Sequence, residues 1–333
     1  MMVYLYKKTA GLKNYYYLRA SERKGKRILA KDIAYLGNTI EEARKSLNNL
    51  PQYTEEIRKA YKTLHRFLES NHFLEQVKES KLKRDIFLKE KQEEIEACKL
   101  HFNSTFQHNP EPTKKEIWKN FLIEFAFNTA SIEGNTIRLD QARDLLQEGL
   151  TPENKTVREI YDLQNTEKVF FEVLHLKEEI SHELIIRIHA GLMENIDSRK
   201  GYRTVDVRVI HAHFQSTPAP YVKTDMDLLL EWYAKYKEKL HPFVLAVVFH
   251  HKFEKIHPFM DGNGRTGRML LNYILLNHLY PPVIVHRKQR TEYLNALGKA
   301  DKVGLTALES KSYLPLMQFI IQEMIDEYWN LFL

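Results

Sequence analysis

The stretch that most restricts what this chain can fold into is His257 to Arg268, H-P-F-M-D-G-N-G-R-T-G-R, which runs directly into the apolar segment Met269 to Leu276. A glycine-rich turn feeding a helix start lets backbone N–H groups approach an anion, because no Cβ intervenes and the helix dipole points the same way. Asp261 would repel that anion, so its carboxylate reads better as the ligand of a hard cation such as Mg²⁺ that bridges protein and phosphate. Arg265 and Arg268 lie three apart, on one face of the first helical turn, where paired N–H donors suit further phosphate oxygens. The residues describe a polyphosphate–Mg²⁺ cradle with an imidazole, His257, beside it.

Two plainer readings are weaker. His250, His251 and His257 could form a zinc cluster, but adjacent histidines point about 100° apart on a helix and no cysteine or fourth ligand follows. A purely structural glycine-rich helix start would not need His, Asp and two Arg at these offsets.

The run resembles the signature of the Fic family, H-x-F-x-[D/E]-G-N-G-R-x-x-R, at every fixed position. That resemblance implies transfer of AMP from ATP to a Ser, Thr or Tyr hydroxyl of a protein. His257 would be the general base, and Asp261 would hold Mg²⁺. Gly262, Asn263 and Gly264 would form the anion hole, Arg265 would contact the phosphates, and Arg268 would bind the γ-phosphate. Upstream, Thr129-Ala130-Ser131-Ile132-Glu133-Gly134 resembles the family's inhibitory motif, [S/T]-x-x-x-E-[G/N], with Thr129 and Glu133 on its fixed positions. A carboxylate beside Arg268 would occupy the γ-phosphate site and leave ATP badly aimed. The same glutamate could instead align a water that removes AMP from a modified protein.

With 43% hydrophobic residues over 333 positions the chain can bury a large core. A single cysteine, Cys98, precludes an intramolecular disulfide framework and suits a reducing cytoplasm. The longest uncharged run, Met269 to His286, contains Asn272, Asn277, His278 and two prolines, so it reads as a buried helix and loop rather than a membrane span. No low-complexity tract or solenoid repeat is found.

Residues 1–40 form a distinct basic module with strand-like Val3–Tyr6 and Tyr15–Arg19 and a third strand over Arg27–Gly37. Lysines and arginines interleaved with tyrosines could contact nucleic acid, or the sheet could simply be solvated, with lysines blunting its edges. Residues 41–110 read as a helical arm broken at Pro51 and Asn71 and closed by Asn109-Pro110-Glu111-Pro112. Thr113-Lys114-Lys115-Glu116 is a capping box that should open the next helix, at about 113–134. Gly149 should stop a helix begun near Asp140, and Thr151-Pro152 should start another reaching 176. Ser181 caps a helix over 182–195, and His241-Pro242 begins one ending at Lys255. Arg203 to Ile210 alternates as a strand. With Pro218-Ala219-Pro220 and Tyr221-Val222 it resembles the family's flap hairpin, about 203–222, which holds a target segment by strand addition.

The expectation is therefore a mainly α Fic-type helical bundle over 111–333, with a β-hairpin flap, a small β-containing N-terminal segment and a helical arm. Its substrates would be ATP with Mg²⁺ and a target protein, itself included. Nucleic acid through residues 1–40 and a homo-oligomer are left open, and no membrane partner is expected.

Overall fold

The structure is a computed structural model describing residues 2–11, 13–25, 27–207 and 216–333. Alternating side chains build three antiparallel strands, β1 (Met2–Ala10), β2 (Lys13–Lys24) and β3 (Arg27–Gly37), in the order β1-β2-β3. One face buries Val3, Leu5, Tyr16, Leu18 and Leu36 against α1 (Ile40–Asn48) and the first half of α3 (Tyr61–Glu79), with the short α2 (Thr54–Lys59) between them. Thr39 caps α1 by accepting the Glu42 N–H at 3.1 Å. The Tyr16 hydroxyl donates to the Glu75 carboxylate of α3.

Asn71 does not break this arm. It lies inside α3, where its amide donates back to the Phe67 carbonyl at 2.9 Å and so meets its need without leaving the helix. Pro51 does open a 3-10 turn, and the second interruption follows Glu79. From Phe73 and Val77 onward the side chains join a second, larger core with α4 (Gln92–Ser104).

That core is mainly helical, with the irregular residues 280–285 also buried. The helices after α4 are α5 (Glu111–Ile132), α6 (Leu139–Glu148), α7 (Val157–Val173), α8 (His182–Leu192), α9 (Val222–Tyr236), α10 (Pro242–Ile256), α11 (Asn263–Asn277), α12 (Arg290–Ala300) and α13 (Ser310–Leu331), of which α6 packs with α5 and α7 in a smaller cluster. Helices α10 and α11 run through its centre. Eight consecutive residues of α10, Phe243 to His250, are buried, so no polar face remains on that stretch. Each large aliphatic side chain hidden there contributes about 1.5–3 kcal/mol. Asn272 of α11 grips the Val283 backbone in both directions, at 3.0 and 2.7 Å, and pins the segment after the helix.

Three helix starts differ from expectation. Helix α5 begins at Glu111, ahead of the Thr113 box, because Pro110 and Pro112 preset the first turn. Helix α7 starts at Val157 rather than Pro152, since Thr156 and Glu159 close the capping box that Thr151 does not. Tyr221 ends a 3-10 turn and Val222 opens α9, so the return arm expected for the flap is helical. Of the strand expected over 203–210, residues 203–207 are irregular; residues 208–215 lie outside the described residues. Gly149 ends α6 in the left-handed conformation, φ 70°, and Ser181 caps α8 as expected. No described helix is long and apolar enough to cross a membrane.

Candidate active site

Helix α10 stops at His257, which takes the left-handed conformation (φ 55°) that glycine usually fills, and Pro258 prevents continuation. A non-glycine residue held there costs on the order of 1 kcal/mol, so the surroundings must impose it. Arg203 does so. Its backbone N–H donates to Pro258 O at 2.9 Å and its Nε to His257 O at 2.8 Å, and its guanidinium also reaches the Thr217 carbonyl. The ring of His257 is largely buried and its Nδ1 has no hydrogen-bond partner among the described residues. Burial holds its pKa below the ordinary histidine value, although the Glu254 carbonyl and the Glu133 charge oppose this. The imidazole is thus neutral near pH 7 and able to accept a proton.

The loop after it turns at Gly262, φ 75°, where a Cβ would meet Met193 Sδ at 2.6 Å. Asn263 braces the loop from inside, accepting from Phe259 N and donating to Phe259 O, both at 2.8 Å. Its side chain is therefore committed to shape. The first intrahelical bond is Thr266 N–H to Gly262 O at 2.9 Å, so the preceding N–H groups of α11 have no intrahelical acceptor, the arrangement that suits an anion.

The two arginines of α11 diverge rather than act together. Arg265 is buried and paired with Asp162 of α7, and its Nη2 lies 3.3 Å from Met193 Sδ. Arg268 reaches α5 instead. Its Nε donates to Thr129 Oγ1 at 2.7 Å, and its Nη2 to Thr129 O at 3.0 Å and Glu133 Oε1 at 2.7 Å. Glu133 is the residue after the last turn of α5, and a Cβ on Gly264 would run into its Oε1. Its carboxylate therefore lies over the glycine of the cradle. Partial burial works against the Glu133 charge, yet the Arg268 charge and hydrogen bond, helped by Arg265 and His257, hold its pKa below the usual carboxylate range.

Asp261 is paired with Arg158 of α7 and accepts the Gly262 N–H at 2.6 Å. Burial works against its charge, but Arg158 and Arg265 keep it ionised. Among the described residues no group of three or more His, Cys, Asp or Glu could hold a metal ion. A single ionised carboxylate at the cradle fits Mg²⁺, which usually takes one or two carboxylates with substrate phosphates and waters. Zinc is not favoured, because His250 donates or accepts with Tyr293 at 2.6 Å and His251 lies between Tyr313 and Asp301, each at 3.0 Å. A cleft of about 270 Å³ opens beside Met260 and Asp261, walled by His189, Tyr202 and Arg203.

Residues 179–275 match the family model described as the Fic/DOC family. Over those residues the chain is similar to the Fic/DOC family. "Protein adenylyltransferase Fic" of Drosophila ananassae is 30% identical over 205 residues, 59% of this chain and 40% of that protein. The Drosophila willistoni protein of the same name is 30% identical over 201 residues, with the same shares. The chain thus spans about 40% of the length of these relatives. A Fic domain-containing signaling protein from Bacteroides thetaiotaomicron shares the fold, with TM-score 0.65 and 24% identity over 72% of this chain and 96% of that one. A fragment of Fic-1 from C. elegans gives 0.59 and 22%, over 87% and 81%.

Sequence reasoning did not find Arg158, Asp162, Arg203 or Glu254. The last has a largely buried side chain whose sealed Oε1 lacks a partner among the described residues and lies 3.9 Å from His250 Nδ1. Burial, with Glu133 adding and Arg268 opposing, pushes its pKa up to about 8.

Proposed function

We propose that this Fic domain is an autoinhibited protein adenylyltransferase that moves AMP from ATP to a protein hydroxyl. The observation that carries the reading is the 2.7 Å pair between Glu133 and Arg268, with the carboxylate lying over Gly264. A cradle built for phosphate is covered by a carboxylate that mimics it. In the open state the α11 N-terminus and Arg268 bind and orient the triphosphate. His257 takes the proton from a Ser, Thr or Tyr hydroxyl as that oxygen bonds to the α-phosphorus, and pyrophosphate leaves as the old phosphoanhydride bond breaks. Asp261 would hold Mg²⁺, which supplies charge neutralisation on the phosphates. A positioned base accounts for about 10²–10⁴-fold in rate.

The fragment Arg203–Val207, fastened to the motif by Arg203, is the support for a target segment lying beside the cleft at Asp261. The same placement of Glu133 supports a second reading, in which it aligns a water to release AMP from a modified protein. Mass spectrometry after incubation with ATP and Mg²⁺ separates these. An AMP adduct on a Ser, Thr or Tyr of the Glu133→Gly chain or of an added protein supports transfer. A phosphate adduct alone, or label from γ- but not α-labelled ATP, would refute it. Loss of AMP from a pre-modified protein that depends on Glu133 would select the second reading.

A further inference from the structure

Charge is distributed very unevenly along this chain. Residues 1–37 hold nine Lys or Arg against two Asp or Glu, a net +7, so with +6 for the whole chain the other residues sum to −1. Such asymmetry points to a polyanionic partner for the basic part. The sheet formed by these residues has one face packed on α1 and α3 and the opposite face bare.

The period-2 alternation puts tyrosines on the bare face. Tyr6 pairs with Tyr17, and Tyr17 with Tyr35, so three rings lie in a row across the strands, with Tyr4 and Tyr15 on either side. The Tyr17 and Tyr35 ring centres are 5.4 Å apart, and the Arg19 guanidinium stands over the Tyr6 ring, 3.5 Å from its centre, while paired with Asp32. These contacts hold the rings in place before any partner arrives, which lowers the entropy cost of binding. The cations stand on either side of the row, toward the two turns. Lys8 and Lys13 flank the β1–β2 turn and Arg23 is near the β2–β3 turn; all three are exposed. Among the described residues none of the three has a carboxylate partner.

We propose that this outer face binds single-stranded nucleic acid, its bases stacked on the tyrosine row and its phosphates held by Lys8, Lys13 and Arg23. Aromatic rings at the centre and cations on either side match a strand whose π faces are free and whose backbone runs past them. A duplex hides those faces and would leave the rings desolvated against phosphate. The assignment is independent of the adenylyltransferase reading, since the sheet belongs to a separate core.

The test uses the full-length chain and fluorescein-labelled oligonucleotides of about 20 nucleotides and mixed sequence, as single-stranded RNA, single-stranded DNA and duplex DNA, followed by anisotropy. Either single strand should bind more tightly than the duplex. Affinity should fall about twentyfold between 50 and 200 mM salt if the three cations each contact a phosphate. Tyr17→Ser/Tyr35→Ser should weaken binding about fivefold or more, and Lys8→Gln/Lys13→Gln, at two exposed positions, should flatten the salt dependence, with thermal unfolding confirming that both variants remain folded. No binding at 50 mM salt would overturn the proposal, as would a duplex preference untouched by the tyrosine substitutions. Concentration-dependent dimerisation that those substitutions abolish, without oligonucleotide binding, would assign the face to a second copy of the chain and overturn it as well.

Discussion

Two arginines three residues apart on α11 meet two carboxylates, and the two pairs are built for opposite ends. Arg265 and Asp162 are both nearly sealed from solvent, at 3% and 12% exposure, and Asp162 comes from the middle of α7. Arg268 is equally sealed, but Glu133 stands on the end of α5 with 43% of its side chain exposed. The first pair has no way to part without burying a lone charge. The second has a partner that can swing into water while Arg268 keeps its two bonds to Thr129. The comparison teaches that a charge pair suits the regulatory role proposed for Glu133 when one partner is at an element's end and the other remains satisfied without it.

The comparison can be broken from both sides. The largest effect expected is on catalysis: His257→Ala in a Glu133→Gly background lowers transfer about 10²–10⁴-fold while thermal unfolding stays close to that of the background. Next is Asp162→Ala, which strands the Arg265 charge and should cost about 3–5 kcal/mol in urea unfolding. Glu133→Ala by the same measurement should leave stability nearly unchanged, and an equal loss in the two would erase the distinction.

Glu254 sharpens the account from behind Arg268. A carboxyl whose folded pKa, about 8, exceeds its ordinary 4.5 keeps its proton in the fold, so its contribution to stability falls as pH rises from about 4.5 through about 8. Glu254→Gln should therefore nearly match the parent at pH 4.5 and exceed it at pH 8 by on the order of 4 kcal/mol. A parent that grows more stable than this variant on going to pH 8 would contradict the burial argument. The smallest effect is Thr129→Val, which removes one acceptor from Arg268 and should cost about 1 kcal/mol. The lowered His257 pKa also sets a sign: the acid limb of the Glu133→Gly rate profile lies below pH 6.5, not above it.

What was legible in the sequence follows from how local its cause is. The third strand, Arg27–Gly37, and the cap at Ser181 are set by neighbouring residues, and both appear where the pattern puts them. The start of α7 was misplaced because two Thr residues compete for the cap and only Thr156 has Glu159 in reach. Asn71 looked like a break because its side chain competes for backbone, yet inside α3 it bonds the carbonyl four residues back. Asp162 and Arg158 stand 103 residues from their partners, so no spacing rule could couple them. Thr129 and Glu133 could be singled out only because their short motif, weak alone, stands in one chain with the far more specific glycine-rich run.

The most direct test of autoinhibition is the rate of label incorporation from α-labelled ATP with Mg²⁺ in the parent chain and in Glu133→Gly. Removing a charge-assisted bond to Arg268 should raise the rate at least about tenfold. Equal incorporation in the two proteins, with both silenced by His257→Ala, would show that the carboxylate over Gly264 does not restrain the site.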